Sequence, residues 1–498
     1  MAKYKNISFL ILIFFFQLPQ NCISQDVLSK ATLRGLDSYI VDIMQQWKIP
    51  GLAVAVIYKD KVLYSKGYGY RNIESQQPVG VNTLFAIASC TKAFTAASAC
   101  LLVEDGLLDL DKPAKQYLPN LQMYDDFTTL HITLRDMLTH RSGLPRHDWV
   151  WYYSDKNRAQ LVATLKYLQP NSELHEKYQY QNLMFTTAGY IIGEVVGLGW
   201  EKLVQERILK PLEMTNTNFS ILELQNASDF ALPYQKKDGK VSFIPNVNVD
   251  ALGPAGSINS NITDMAKWLT MLINKGVYNG KQILSNDSYK QLTTPYVTVP
   301  SDIEYEELFY LSYGLGWFIT SYSGHLRLSH SGNIDGYSAD VSFMPNDSLG
   351  VVILTNLYSC EARYVIRNNI YDRLLGLTQV DWNERYTKAL IQTDEQLPDD
   401  FTKIHNTTPS HKLADYQGKY EHPAYGILDI TCSDNQLIGH YHGFAIVFQH
   451  YHYDTFTVQL DGETVKFTFR TNEEGLIDGA SAFLQSGIDE IMFSRVVK

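Results

Sequence analysis

Leu28, Leu33, Leu36, Ile40, Ile43 and Met44 recur at helical spacing along residues 27–47, and Pro50 stops the run, which predicts an amphipathic helix there. Two β-rich runs, Gly51–Tyr58 and Val62–Tyr70, flank Lys59-Asp60-Lys61 and read as a hairpin. A short extended piece, Thr83–Ala88, leads into a helix from Ser89 to about Asp105, closed by Gly106. Its run of Ala93, Phe94, Ala96, Ala97, Ala99, Leu101, Leu102 and Val103 is apolar nearly all round, so this helix belongs in the interior. A helix-rich middle follows from about 115 to 275. Strand signals return at Gly314–Tyr322, His325–Ser329, Tyr337–Met344 and Gly350–Thr355, with turn chemistry at Pro345-Asn346-Asp347-Ser348. A helix over about Ala362–Leu375 ends the region. Strands at both ends with helices between predict an α/β unit: one antiparallel sheet, assembled from both ends of residues 25–378 and flanked by helices.

Residues 379–411 are polar, with Asp394-Glu395, Pro398-Asp399-Asp400 and Thr407-Thr408-Pro409, and read as a linker. Beyond them, in 412–498, the texture changes to short alternating runs: Gly426–Cys432, Gln436–Tyr441, Ala445–His450, Thr455–Val458, Val465–Arg470 and Ile491–Arg495. That pattern predicts a small all-β barrel or sandwich.

At the other end, Lys3 and Lys5 precede an apolar run from Ile7 to Leu18, broken by Pro19. The run is short for a membrane span and suits the core of a signal peptide over residues 1–24, cut before Gln25 after Cys22 and Ser24. The expected destination is the periplasm or the exterior, with no stable membrane span once the signal is gone. Composition adds mainly exclusions. Of the 498 residues 45% are hydrophobic and 19% charged, a globular balance, and the formal net charge is −11, which repels phosphate backbones and argues against nucleic acid as a partner. Losing Lys3 and Lys5 with the signal makes it −13. Five cysteines without a Cys-x-x-Cys pair form neither a disulfide scaffold nor a zinc motif, and Cys90 and Cys100, ~15 Å apart along one helix, cannot pair with each other.

Ser89-Cys90-Thr91-Lys92 carries the sharpest chemistry. A serine hydroxyl is a poor nucleophile until a base takes its proton. Positions i and i+3 share a helix face, so Lys92 can sit one turn beneath Ser89. Desolvation in an apolar helix should strip that lysine of proton affinity, and the helix start offers free N–H groups to a developing oxyanion. Tyr180-Gln181-Asn182 supplies a phenol that can exchange a proton with Ser89 if cations lower its pKa, beside an amide able to hold a carbonyl. His330-Ser331-Gly332-Asn333 supplies a glycine that permits close backbone approach and a histidine offering a donor or a positive charge.

In order and spacing, with Tyr180 88 residues after Lys92 and His330 148 after Asn182, these three elements resemble the class C β-lactamase and D-peptidase family of serine hydrolases. Leu138-Thr139-His140-Arg141-Ser142-Gly143-Leu144-Pro145, Pro254-Ala255-Gly256-Ser257, Tyr313-Gly314-Leu315-Gly316-Trp317 and Gly336-Tyr337 resemble the same family, across about residues 30–375. The resemblance implies a helical subdomain and an α/β subdomain with the active site between them. It implies Ser89 as the acylated nucleophile, Lys92 and Tyr180 sharing the acid and base work, and Asn182 positioning substrate. His330 would line the opposite wall with Gly332, and the N–H groups of Ser89 and Asn333 would form the oxyanion hole. Histidine at 330, where β-lactamases of this class carry lysine, resembles the peptidases and esterases instead and points to an amide or ester substrate, a D-amino-acid peptide or a small ester. β-Lactamase or D,D-carboxypeptidase activity is the alternative, and an idle ligand-binding protein a further one. Tyr416-Gln417-Gly418-Lys419-Tyr420, Tyr425-Gly426-Ile427-Leu428 and Met492-Phe493 resemble the lipocalin-like barrel fused behind such hydrolases. His440-x-His442 and His450-x-His452 lack an accompanying cysteine or carboxylate motif, so neither a metal nor any other cofactor is expected. The sequence leaves the oligomeric state open.

Overall fold

The computed structural model describes residues 30–301, 305–395, 403–460 and 462–496; the proposed signal segment lies outside them. A nine-stranded antiparallel sheet runs in the order Val297–Thr298, Leu308–Tyr313, Phe318–Tyr322, His325–Ile334, Tyr337–Met344, Leu349–Thr355, Gly51–Tyr58, Lys61–Asn72, Gln77–Pro78. The N-terminal hairpin thus pairs with the last strand of the C-terminal set, Leu52 opposite Thr355 and Tyr58 opposite Leu349. Gly51–Tyr58 is buried along nearly its whole length because both faces of the sheet are covered. Leu52, Val54 and Val56 join a core beneath the helices Leu36–Trp47 and Ala362–Leu375. Ala53, Ala55 and Ile57 face the other way, into the core holding the helices Thr91–Glu104, Asn182–Val196 and Ile262–Ile273. That is the period-2 alternation of a strand serving two layers.

Several boundaries shift. The run Gly314–Tyr322, expected as one strand, is split, because Gly314–Trp317 turns between Leu308–Tyr313 and Phe318–Tyr322. His325–Ile334 extends past the expected Ser329, which places His330 and Gly332 inside a strand. The expected linker opens with a helix, Trp382–Glu395. Its first residue, Trp382, is fully buried and donates from Nε1 to Asp372 Oδ2 at 2.8 Å, while Asn383 Oδ1 accepts from Trp47 Nε1 at 2.7 Å. Residues 418–495 close an eight-stranded antiparallel barrel, including Gly418–His422 and Ile477–Ala482 in addition to the six expected strands.

Among the described residues no single helix is long and apolar enough to cross a membrane. Of the histidines in the two His-x-His runs, His442 reaches Tyr152 O and Tyr425 O, both at 2.9 Å, and His450 reaches Tyr453 O at 3.0 Å. Among the described residues no three metal-binding side chains converge.

Trp382→Ala should lower stability by about 3–5 kcal/mol through the cavity it leaves, read as a shift of the urea midpoint. A midpoint unchanged from the parent protein would mean the helix is a detachable tether.

Candidate active site

The turn Ala88–Cys90 passes into the helix Thr91–Glu104. Ala88 takes a left-handed conformation (φ 45°), a strained bend that presents Ser89 at the surface of a cavity while the rest of the turn stays buried. One turn below, Lys92 is fully buried. Its Nζ lies 2.9 Å from Ser89 Oγ, 2.8 Å from Asn182 Oδ1 and 2.8 Å from the carbonyl of Ala255. Burial first, and then the positive charge of Arg146, hold its pKa well below the ordinary lysine value. A neutral amine has two N–H donors and one lone pair. The oxygens of Asn182 and Ala255 can only accept, so they take both donors, and the lone pair is left for the Ser89 hydroxyl. The arrangement can receive the serine proton.

The partners of Lys92 are built from motifs far apart in the chain. Pro254-Ala255-Gly256-Ser257 is clamped to the lysine helix, with Thr95 Oγ1 donating to Pro254 O at 2.7 Å and Ile258 N–H to Thr91 Oγ1 at 3.1 Å. Gly189 brings the helix Asn182–Val196 onto the same loop, since a Cβ there would come within 2.1 Å of Pro254 Cβ. Tyr180, Gln181 and Asn182 are set by the run containing His140. The Gln179 N–H donates to His140 O at 2.8 Å, and the Gln181 N–H to His140 Nδ1 at 3.0 Å. The Gln181 side chain donates to Pro145 O and caps the helix by accepting from Leu183 N–H at 2.8 Å. Asn182 then points Oδ1 at Lys92 and donates from Nδ2 to Asp148 Oδ1 at 3.0 Å.

The Tyr180 ring lies between the Lys92 amine and the Arg146 cation, with Lys92 Nζ 4.8 Å and the Arg146 guanidinium 5.2 Å from its centre, and it hydrogen-bonds Ser89. The condition set by the sequence is nevertheless unmet. Burial outweighs both the Ser89 hydrogen bond and Arg146, so the phenol's pKa rises instead of falling and its proton stays on. His330 also departs from expectation. It is buried, its Nε2 is 3.0 Å from the Tyr313 hydroxyl and its Nδ1 2.7 Å from Ser331 O. Burial, then Lys92, push its pKa from 6.5 down to about 3, so it is neutral and offers no positive charge. Neither His330 nor Gly332 lines the cavity; both lie behind the Ser89 turn. Gly332 is needed there, because a Cβ would sit 2.1 Å from Ile87 O and 3.0 Å from Ser89 N.

The cavity itself, about 250 Å³, is lined by Ser89, Asn182 and Asn333 together with Arg146, Asp148 and Tyr152, and by Leu460, Glu463 and Gln485 from the barrel. Arg146, Asp148 and Gln485 escaped the sequence reading. The first two follow directly on the run ending at Pro145, the one signal that could have drawn attention to them. Gln485 is 337 positions from its partner Asp148 and belongs to no motif.

His330 gives a pH signature. Its folded pKa lies below the unfolded one, so the unfolded chain binds the extra proton between pH 6.5 and about 3; stability is full above 6.5 and falls with pH through that window. His330→Gln should flatten this part of the curve of unfolding free energy against pH, and identical slopes would refute the neutral buried imidazole.

The family model described as Beta-lactamase matches residues 36–369, and one described as a domain of unknown function, DUF3471, matches residues 402–495. The chain is 29% identical over 428 residues to the unguisins hydrolase ungD' of Aspergillus campestris (strain IBT 28561), covering 80% of this chain and 79% of that protein. It is 27% identical over 329 residues to protein flp of Staphylococcus aureus (strain NCTC 8325 / PS 47), covering 65% of this chain and 63% of that one. The octameric penicillin-binding protein homologue from Pyrococcus abyssi shares the fold, with a TM-score of 0.64 at 23% identity over 92% of this chain and 99% of the other. With two thirds of its length matched by the family model, the chain belongs to the β-lactamase family, as a penicillin-binding-protein-like serine hydrolase followed by a closed β-barrel.

Proposed function

We propose that the protein is exported and cleaves an amide or ester, a D-amino-acid peptide or small ester, through an acyl-enzyme on Ser89. One observation carries the reading: the buried Lys92 Nζ lies 2.9 Å from Ser89 Oγ and 2.8 Å from each of two oxygens that can only accept, Asn182 Oδ1 and Ala255 O. Lys92 removes the Ser89 proton as Oγ attacks the substrate carbonyl. The carbonyl electron pair moves onto oxygen, facing the backbone N–H groups of Ser89 and Asn333 at the cavity wall. Collapse of this intermediate expels the leaving amine or alcohol, which takes the proton of the Tyr180 phenol; the Lys92 ammonium then gives its proton to the Tyr180 phenolate, Ser89 Oγ now being an ester oxygen. Water repeats the sequence on the acyl-enzyme, releasing the acid and restoring Ser89. Asn182 orients the substrate and occupies one lysine donor, Ala255 O taking the other. The neutral His330 gives no fixed cation for a β-lactam carboxylate, which favours peptides and esters.

Export is supported by Lys3, Lys5, the apolar run Ile7–Leu18 and Pro19. Expressed with its first 24 residues, the protein should be recovered outside the cytoplasm beginning at Gln25, as read by N-terminal sequencing; a chain still beginning at Met1 would count against cleavage.

A fluorophosphonate probe should label Ser89 on peptide mapping, and Ser89→Ala should lower ester and D-peptide turnover by at least about 10³-fold with an unchanged melting curve. Retained turnover in that variant would falsify the acyl-enzyme. A panel of D-aminoacyl amides, terminal D-Ala peptides, small esters and nitrocefin then identifies the substrate, nitrocefin being the slowest.

A further inference from the structure

The barrel matches a domain of unknown function, yet one of its side chains reaches the site. Gln485 accepts from the backbone N–H of Asp148 through Oε1 at 2.9 Å and donates from Nε2 to Asp148 Oδ2 at 3.2 Å. The Asp148 carboxylate is itself a hub. Its Oδ1 accepts from Trp151 Nε1 at 2.8 Å and from Asn182 Nδ2 at 3.0 Å, and its Oδ2 accepts from Arg146 Nε at 2.6 Å. Asn182 in turn accepts from Lys92. An unbroken line of hydrogen bonds runs from the barrel through Asp148 and Asn182 to the amine beside Ser89.

The carboxylate decides which way the Asn182 amide faces. An acceptor-only group on one side forces Nδ2 toward it and so Oδ1 toward Lys92. Were the amide reversed, its NH₂ would face the lysine donors and the lone pair would no longer be reserved for Ser89. Asp148 opens the short 3-10 turn Asp148–Val150, and the barrel holds both its backbone N–H and its carboxylate. The barrel also grips the neighbouring residues. His147 Nδ1 meets the Tyr425 hydroxyl at 2.6 Å, Tyr441 donates to Trp149 O at 3.4 Å, and His442 meets Tyr152 O.

We propose that the C-terminal barrel is part of the active site, with Gln485 as a positioning residue that fixes Asp148, and through it the Asn182 amide, so that Lys92 stays free to accept the Ser89 proton. The proposal rests on the Ser89 acyl-enzyme reading. It assigns the domain a role in the acylation step beyond forming one wall of the cavity with Leu460 and Glu463.

The test uses the full-length protein and the rate at which a fluorophosphonate labels Ser89. Gln485→Met, close in size but without hydrogen bonds to give, should slow labelling about tenfold. In an Asp148→Asn background the same change should have little further effect, since both act through one carboxylate. Asn171→Ala removes another barrel contact, the donation to Gly487 O at 2.7 Å, and should leave the rate near that of the parent. Gln485→Glu should recover activity relative to the parent as the pH falls, because a protonated carboxyl can both accept from the N–H and donate to Asp148, which a purely structural role would not produce. If Gln485→Met folds poorly, this pH profile decides alone. Labelling unchanged in Gln485→Met, multiplicative losses in the double variant, equal slowing in Asn171→Ala, or a flat Gln485→Glu profile would overturn the proposal. A parent protein that does not label at Ser89 would instead overturn the acyl-enzyme reading beneath it.

Discussion

A lysine amine held in the apolar centre of the protein makes demands that most of the fold answers. Charged, Lys92 would cost several kcal/mol in desolvation with no carboxylate in contact, so it is held neutral, and a neutral amine still needs acceptors for its two protons. Those come from Asn182 at the start of one helix and from Ala255 in a separate loop. Both must meet the lysine helix at hydrogen-bonding distance. The helix is apolar on every side because it is enclosed on every side, by the helix Asn182–Val196, the Pro254 loop and the turn at Gly316, where a Cβ would meet Lys92 O at 2.9 Å. The glycines at 189, 316 and 332 are therefore a consequence of the same crowding.

The charges around the amine are arranged so that none sits directly on it. Arg146 is bonded to Asp148, and Asp148 to Asn182, which leaves Lys92 touching only neutral oxygens. Tyr180 keeps its proton and His330 its neutrality for the same reason, burial. In a medium of low dielectric the preferred state of each group is the uncharged one unless a partner is in contact. The result is a set of neutral donors and acceptors around Ser89 in place of the phenolate and imidazolium that residue types alone allow. The barrel extends this network by one further member, Gln485.

The regular elements were legible wherever one periodicity ran long enough. Gly51–Tyr58, Tyr337–Met344 and Ala362–Leu375 have the expected ends, because buried strands and helices of that length carry their pattern whole. The misses have local causes. Trp382–Glu395 is dominated by polar residues, and its helix is held by Trp382 entering a core assembled by distant residues. Gly418–His422 and Ile477–Ala482 are short and poor in β-branched residues, so closure of the barrel, in which each strand satisfies its neighbours' backbone groups, makes them strands.

By itself the sequence determined the two-part architecture, the α/β sheet built from both ends of its unit, the barrel behind it, and the identity of Ser89, Lys92, Tyr180 and Asn182 as residues that could share one chemistry. Residue type and spacing carry that much, because helical periodicity and i, i+3 geometry are local. Protonation states and partners were decided only in three dimensions. Desolvation depends on everything packed around a group, so the neutrality of His330 and the protonated phenol of Tyr180 could not be read from neighbours in the chain. The hydrogen bonds joining Asn182 to Asp148 and Asp148 to Gln485 span 34 and 337 positions, and no periodicity links them. Only the docking of the barrel against the turn at Asp148 brings the last of them to the site.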